Sequence, residues 1–395
     1  MTSRRLVLTR SAALIGAAST AMLLPEIARA QSGKVRVGLM LPYTGTFAQL
    51  GVAIENGFRM AIDEQGGKLG GREIEYFKVD DESEPSKGIE NASKLVQRDK
   101  VDVLIGTVHS GVQMGIQKVV RDSGTLCIIP NAGVHAATRA LCAPNVFRTS
   151  FTNSQPTRAL GQAMIAKGHK KAVWITWKYA AGEEAFEGFK ESFTASGGAI
   201  VKDLSLPFPQ VEFQALLTEI ASLKPDAVAC FFAGAGAAKF IRDYAAAGLK
   251  GKIPRYGSGF LTEGVLDAAG DAANGIITTM HYGDSLNTPR DNKFRLDYAK
   301  MFRLQPDVYA VQGYDAGLLL VKGANAVKGD LANKAPLYKA MESATIDSPR
   351  GKWTMSKSHN PVQDIYLRVV ENKENKVLGV AAKALADSGA GCKMA

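Results

Sequence analysis

Short β-branched runs alternate with helix-length stretches along this chain, and the alternation starts over near its middle. Residues 35–40 (Val-Arg-Val-Gly-Leu-Met) read as a strand and 53–63 as a helix. Strands at 73–79, 101–106 and 125–130 then alternate with helices at 86–98 and 112–121. The grammar restarts with strands at 171–176, 199–205, 227–232 and 255–257. Helices at 183–196, 212–223 and 237–247 lie between them. Repeated β-α-β requires a parallel sheet with helices on both faces. The expected fold is therefore α/β, with two doubly wound lobes. A further strand at 275–282, helices at 291–302 and 308–327, and a β-hairpin of 352–355 with 364–371 return material after the second unit. Several crossings between two lobes account for that return.

The first thirty residues read as an export signal. Arg4 and Arg5 precede an apolar, acid-free run at 12–24, and Ala28-Arg29-Ala30 offers a small-x-small cleavage site. Paired arginines in that position resemble a twin-arginine signal. The alternative, a membrane anchor, is disfavoured because the run is about 13 residues and a spanning helix needs about 20. Cleavage near Ala30 removes four arginines and Glu26, so the net charge falls from +10 to +7. The remaining Lys and Arg are scattered and form no basic cluster beside aromatics, which argues against nucleic acid as a partner. Hydrophobic content of 46% with 22% charged residues is ordinary for a globular chain of two domains. Of the four cysteines, Cys230 lies in an apolar strand and reads as a buried thiol. Cys127, Cys142 and Cys392 supply at most one disulfide, and which pair forms it stays open.

Ligands of open α/β sheets lie beyond the carboxyl ends of the strands, so the post-strand loops are the candidate site. They contain Tyr43, Phe47 and Leu50; His109 and Ser110; Asn131, Ala132 and Gly133; Tyr179; Gly234; and Gly259 with Phe260. Ser110-Gly111 and Asn131-Ala132-Gly133 each sit where a helix is expected to begin, where free N–H groups favour an anion such as a carboxylate. The competing reading for Ser110 and Asn131 is plain N-capping, and for each aromatic it is core packing. Convergence at one face favours a ligand site.

Enzymatic signatures are missing. Gly234-Ala235-Gly236 opens a helix after a strand, but Lys239 replaces the third glycine of a dinucleotide fingerprint. There is no phosphate-binding loop with its lysine and no nucleophile elbow. His109 and His135 lack the partners of a catalytic serine arrangement. Asp80-Asp81-Glu82 reads as a solvated loop rather than a metal site. The expectation is therefore no enzyme, no cofactor and no metal.

The ordered set of Val35-Arg36-Val37-Gly38 with residues 42–51, Ala61-Ile62-Asp63-Glu64-Gln65-Gly66-Gly67, Val79-Asp80-Asp81, residues 106–110, Phe147-Arg148-Thr149-Ser150, residues 179–182 and Tyr314-Asp315-Ala316 resembles the periplasmic solute-binding proteins of the branched-chain amino-acid type, which serve ABC importers. The resemblance covers nearly the whole chain after residue 33. It implies two lobes joined by three hinge crossings, near 147–153, 275–282 and 348–352. Lobe 1 would comprise 34–150 plus 281–350, and lobe 2 would comprise 151–280 plus 351–390. It also implies a periplasmic protein, a membrane permease as partner, and a monomer, because a clamp needs free lobes. Ser110, Asn131, Ala132 and Gly133 would hold the ligand carboxylate, and Tyr179 would come from the second lobe. One departure matters. Amino-acid-binding members place an acid after the strand ending near Gly257 to neutralise the ligand ammonium, and here that place falls at Gly259-Phe260, with Ala235 after the preceding strand. A buried ammonium without a carboxylate costs several kcal/mol. The expected ligand is thus a carboxylate without an amino group, an aromatic acid of the benzoate type. An amino acid is the alternative, with Glu263 as the acid that would serve it. A sensor domain on the same fold is a further alternative.

Overall fold

The computed structural model describes residues 33–395; the export-signal segment lies outside the described residues. The first sheet holds strands β1 (Val35–Leu41), β2 (Ile74–Asp80), β3 (Val103–Ile105), β4 (Leu126–Ile129) and β5 (Val146–Arg148). All are parallel, in the order β2-β1-β3-β4-β5. Alternate residues of the central strands serve opposite faces, as a period of two requires. Val37, Leu39, Val103, Ile105 and Ile128 pack on one side against helix α1 (Ala48–Asp63). Met40, Leu104, Cys127 and Ile129 pack on the other against α2 (Pro85–Ser93) and α3 (Ser110–Ser123). Each fully enclosed aliphatic side chain of this kind stabilises the fold by about 2 kcal/mol.

The chain then passes through α4 (Ser154–Ala166) into the second sheet. There β6 (Lys171–Lys178), β7 (Ala199–Pro207), β8 (Ala227–Phe231), β9 (Arg255–Ser258) and β10 (Ile277–Met280) run parallel in the order β7-β6-β8-β9-β10. The intervening helices are α5 (Ala180–Ala195), α6 (Gln214–Leu223) and α7 (Gly234–Ala246). After the short helix α8 (Leu266–Ala269) and β10, helices α9 (Pro289–Phe302), α10 (Val308–Ala326) and α11 (Lys334–Glu342) return to the first lobe. Helix α10 crosses α1 at touching distance. A Cβ on Gly57 would stand 1.9 Å from the Ala310 carbonyl oxygen, and one on Gly313 would stand 1.9 Å from that of Ile54. Only glycine on each helix permits this approach.

Four differences from the sequence reading have physical causes. Helix α4 is missed because its sequence, SQPTRALGQAMIA, carries a proline in the first turn and a glycine within, which blurs the apolar period. Short strands β5 and β11 (Thr345–Ser348) and the nine-residue helix α11 carry too few residues to declare a period. The expected hairpin of 352–355 with 364–371 is only partly one. Strand β12 (Gly351–Met355) meets β13 (Pro361–Glu371) at Thr354 and Met355 alone, while β13 lies mainly between β10 and β14 (Glu374–Leu385), antiparallel to both. Strand β14 escapes notice because it is an edge strand, largely exposed. Ile346 of β11 and Trp353 of β12 pack into the first core.

The disulfide left open by the sequence joins Cys142 to Cys392, while Cys127 and Cys230 are buried free thiols. It fastens the C-terminal tail to the first lobe. Asp387 does the same by accepting from Arg139 Nη2 at 2.7 Å and Thr152 Oγ1 at 2.9 Å. Closing a loop of 250 residues is worth on the order of 5 kcal/mol in the chain-entropy view. Thiol titration of the native protein is expected to find neither Cys127 nor Cys230, denaturation to expose two thiols, and reduction four. Reduced protein is expected to melt lower; an unchanged melting temperature would remove the tail from the stability argument.

Candidate ligand cleft

A cleft lies between the lobes at the carboxyl ends of both sheets, with about 300 Å³ of space counted out to its open mouth. Phe47, Leu50, Val108, Ser110, Asn131 and Gly133 line it from the first lobe. Phe151 and Asn153 come from the first crossing, and Tyr179, Ala181, Phe231, Ala233 and Phe260 come from the second lobe. Tyr309 closes it from the start of α10. The walls are aromatic: Phe151 lies 4.7 Å from Phe260, and Phe260 stacks on Tyr309 at 6.0 Å. No Asp, Glu, Lys or Arg stands on this wall.

Seven of the twelve sequence candidates meet here: Phe47, Leu50, Ser110, Asn131, Gly133, Tyr179 and Phe260. The other five stand beside the cavity. Tyr43 lies under Lys78, and its N–H donates to Asp80 at 2.8 Å. His109 caps α3 by accepting the Gly111 N–H at Nδ1. The buried Ala132 donates its N–H to the Thr107 carbonyl. Gly234 lets the backbone pass Thr46, where a Cβ would fall 2.5 Å from the carbonyl oxygen. Gly259 leaves room for Arg368, whose Nη2 a Cβ would meet at 2.3 Å. Both glycines thus face protein rather than the cavity. The expected helix start at Asn131 is also absent: the loop leads only to a single 3-10 turn, His135–Ala137. Sequence reasoning missed Val108, Phe151, Asn153, Ala181, Phe231, Ala233 and Tyr309. Phe151 and Asn153 belong to a crossing, and Tyr309 belongs to a helix remote in sequence, so only the tertiary fold brings them in. Val108, Ala181 and Ala233 sit in the loops that were searched, but as small or aliphatic residues they carry no chemical flag.

The polar end of the cavity is set by bonds already committed. His109, not Ser110, caps α3, so the serine is free for other work. Ser110 Oγ accepts from Asn153 Nδ2 at 3.2 Å, which leaves the serine proton to be donated. Of the first-turn N–H groups of α3, that of Gly111 is taken by His109, while those of Ser110 and Val112 have no partner within the helix. Together these favour an anionic group at Ser110. His109 is enclosed and packs flat on Tyr179, with ring centroids 4.8 Å apart. Burial pushes its pKa down to about 4, so it stays neutral at ordinary pH. The lobes are closed around this end. Glu184 of α5 accepts from the His135 N–H across the cleft and from Asn153 Nδ2 at 2.8 Å.

Glu263 does not reach the cavity. It is buried in an ion pair with Arg368 of β13 and accepts from the Val308 N–H at 3.1 Å. Removing one partner of such a pair leaves the other charge stranded. Glu263→Leu is expected to lose about 3–5 kcal/mol in denaturant unfolding; a loss below 1 kcal/mol would show that Arg368 finds another partner.

Burial raises the Glu184 carboxyl from its ordinary 4.5 to about 7. A carboxyl whose folded pKa lies above its unfolded value favours the folded state when protonated. Its contribution is full below the unfolded pKa and is lost as pH rises through about 7. Asp81 and Asp307, each raised by burial to about 7, act in the same direction. Below about pH 6.5 the buried His109 and His135, held neutral, act in the opposite direction, so the check is a difference: between about pH 5 and pH 8 the melting temperature of Glu184→Gln is expected to lose less, or gain more, than that of the wild type. Equal slopes in wild type and variant would clear Glu184 of the effect.

Comparison with known proteins agrees with the geometry. The family model described as periplasmic binding protein matches residues 34–375. A solute-binding protein of an ABC transporter from R. palustris, solved in complex with benzoate, is 55% identical. It superposes with a TM-score of 0.89 over 91% of this chain and 100% of that one. A second, from Rhodopseudomonas palustris BisB5 in complex with 3,4-dihydroxybenzoic acid, is 30% identical with a TM-score of 0.85, over 90% and 99%. Among curated relatives, Leu/Ile/Val-binding protein homolog 1 of Brucella abortus is 31% identical over 74% of this chain and 78% of its own length.

Proposed function

This chain belongs to the periplasmic binding protein family, and from that premise we propose that it is the solute-binding component of an ABC importer whose ligand is an aromatic carboxylate of the benzoate type. One observation carries the ligand assignment: the cavity wall is aromatic, holds no ionisable acid, and has its polar groups gathered at Ser110. A flat ring fits between Phe47, Phe151, Phe231 and Phe260, and the carboxylate meets the Ser110 hydroxyl and the start of α3. The aromatic acids bound by two relatives point the same way. The amino-acid reading draws on the curated relatives' names. It asks for a carboxylate to face the ammonium, and Glu263 is already occupied by Arg368. No reacting pair faces the cleft, in keeping with a family that carries ligands without transforming them.

The ligand docks on one lobe and the other closes over it, a hinge motion that creates the surface a permease reads. We place the first lobe at 34–150 with 281–350, extended to 355 by the packing of Trp353. The second holds 151–280 and the remainder to 390. Export by the N-terminal signal, a periplasmic location and a monomeric state complete the proposal.

Ligand bound only to the folded state raises the melting temperature, by about 2.7 kcal/mol of stability at one hundred times Kd. Benzoate and 4-hydroxybenzoate are expected to raise it and leucine to leave it unmoved. Leucine alone producing a shift would refute the aromatic-acid assignment. Ser110→Ala is expected to weaken benzoate binding about 10–100-fold, the worth of one hydrogen bond to a charged group.

A further inference from the structure

Asn131 stands on the cavity wall, and a buried neighbour decides which end of its amide faces inward. Its Nδ2 donates to Gln312 Oε1 at 2.7 Å. Gln312 lies on α10, is fully enclosed, and does not line the cavity. With its oxygen engaged, Gln312 has its Nε2 left for the group on its other side, His281 Nε2 at 3.3 Å. An amide NH2 only donates, so in this arrangement His281 Nε2 accepts and the ring proton sits on Nδ1, an enclosed atom without a partner among the described residues. Burial, with Arg350 and Arg368 near, keeps the imidazole neutral, so a lone pair is available to accept.

From Asn131 through Gln312 to His281, each amide NH2 donates to the next group. Asn131 Oδ1 receives no bond from the protein, and it is not among the enclosed atoms that lack a partner. It is the atom that Asn131 offers to the cavity. A carboxylate has only acceptor oxygens and is repelled by it; a hydroxyl donates to it. Ser110, by contrast, offers a proton. The wall thus presents a donor for the acid group and a separate acceptor for something else on the same ligand.

We propose that Gln312 is a positioning residue for specificity: by holding the Asn131 amide with its carbonyl oxygen toward the cavity, it selects aromatic acids that carry a ring hydroxyl. The proposal rests on the aromatic-acid reading above and narrows it.

The test measures affinities for benzoate and for 2-, 3- and 4-hydroxybenzoate by calorimetry, in wild type and in two variants. Gln312→Met removes the relay and keeps the volume. Gln312→Glu keeps an acceptor for Asn131 Nδ2 whether or not it is protonated. Wild type is expected to bind at least one hydroxybenzoate isomer about tenfold more tightly than benzoate, the scale of one hydrogen bond realised on binding. In Gln312→Met that ratio is expected to collapse to near one, with benzoate affinity changed less than about threefold. Gln312→Glu is expected to restore the preference. A ratio unchanged in Gln312→Met, or an equal loss for all four ligands in a variant that melts normally, overturns the proposal. So does a wild type that prefers benzoate to every isomer. If wild type binds none of the four acids, it is the aromatic-acid reading that fails, and the relay falls with it. Should Gln312→Met not fold, Gln312→Leu takes its place, and a ratio that departs from the wild-type value in Gln312→Glu also overturns the proposal.

Discussion

Arg350 is the side chain on which the two-lobed arrangement turns. It is buried and forms an ion pair with Asp315 of α10 at 2.7 Å. It also donates to the Thr149 and Ser150 carbonyls of the first crossing and to Gln363 at the start of β13. Gln363 in turn donates to the Ser150 carbonyl. One guanidinium thus holds the first crossing, the returning helix and β13 at a single point. Asp315 has a second donor in Trp353 Nε1, which anchors β12 to the first core. A buried charge is costly unless it is paired and hydrogen-bonded, and here Asp315 supplies the opposite charge while the carbonyls of the extended crossing and Gln363 take bonds from the two terminal nitrogens. The hinge is therefore a place of dense ion pairing and hydrogen bonding rather than slack chain. Motion between lobes must come from small changes of backbone angle along the crossings, not from breaking this junction.

Arg368 repeats the device inside the second lobe. Its guanidinium reaches Glu263, the Tyr282 carbonyl, the Gly259 carbonyl and Thr278. Position 259 must be glycine for it to fit. The same arginine fixes the strand ends behind Phe260 and removes the nearest carboxylate from the ligand's reach. Structure and selectivity are here one choice. A residue sized to fill the place of Gly259 would displace Arg368 and release Glu263.

The two parallel sheets, their order of helices and the edge at which the cavity lies were legible because a period of two and a period near four survive in sequence. Strands β1 and β3 are covered on both faces, by Val37, Leu39, Val103 and Ile105 on one and by Met40 and Leu104 on the other, so each reads as an apolar run. The site was legible in part, through the loops that follow strands. Phe47, Ser110 and Asn131 announce themselves by position. Tyr309 does not, because it begins a helix 130 residues beyond Tyr179, and only the return of α10 across α1 through Gly57 and Gly313 carries it there. Glu263 was the ambiguous residue. Its distance along the chain from Phe260 says that it is near, and only the position of Arg368 on β13 says that it is spoken for.

What a ligand meets in the cavity depends less on the residues that line it than on what their other atoms are doing. Ser110 is both donor and acceptor in principle, and Asn153 takes the acceptor, so a proton remains. Asn131 holds both kinds of group, and Gln312 takes the donor, so an oxygen remains. His109 has two ring nitrogens; α3 uses one lone pair through Gly111, which puts the proton on Nε2, a buried atom without a partner. Each of these neighbours is itself fixed by the packing of a helix or a crossing. A wall of identical residues with different partners behind it would read a different ligand. Within this family, then, the residues that divide one ligand class from another are to be sought one layer behind the cavity, where identity is free to vary without changing the shape of the pocket.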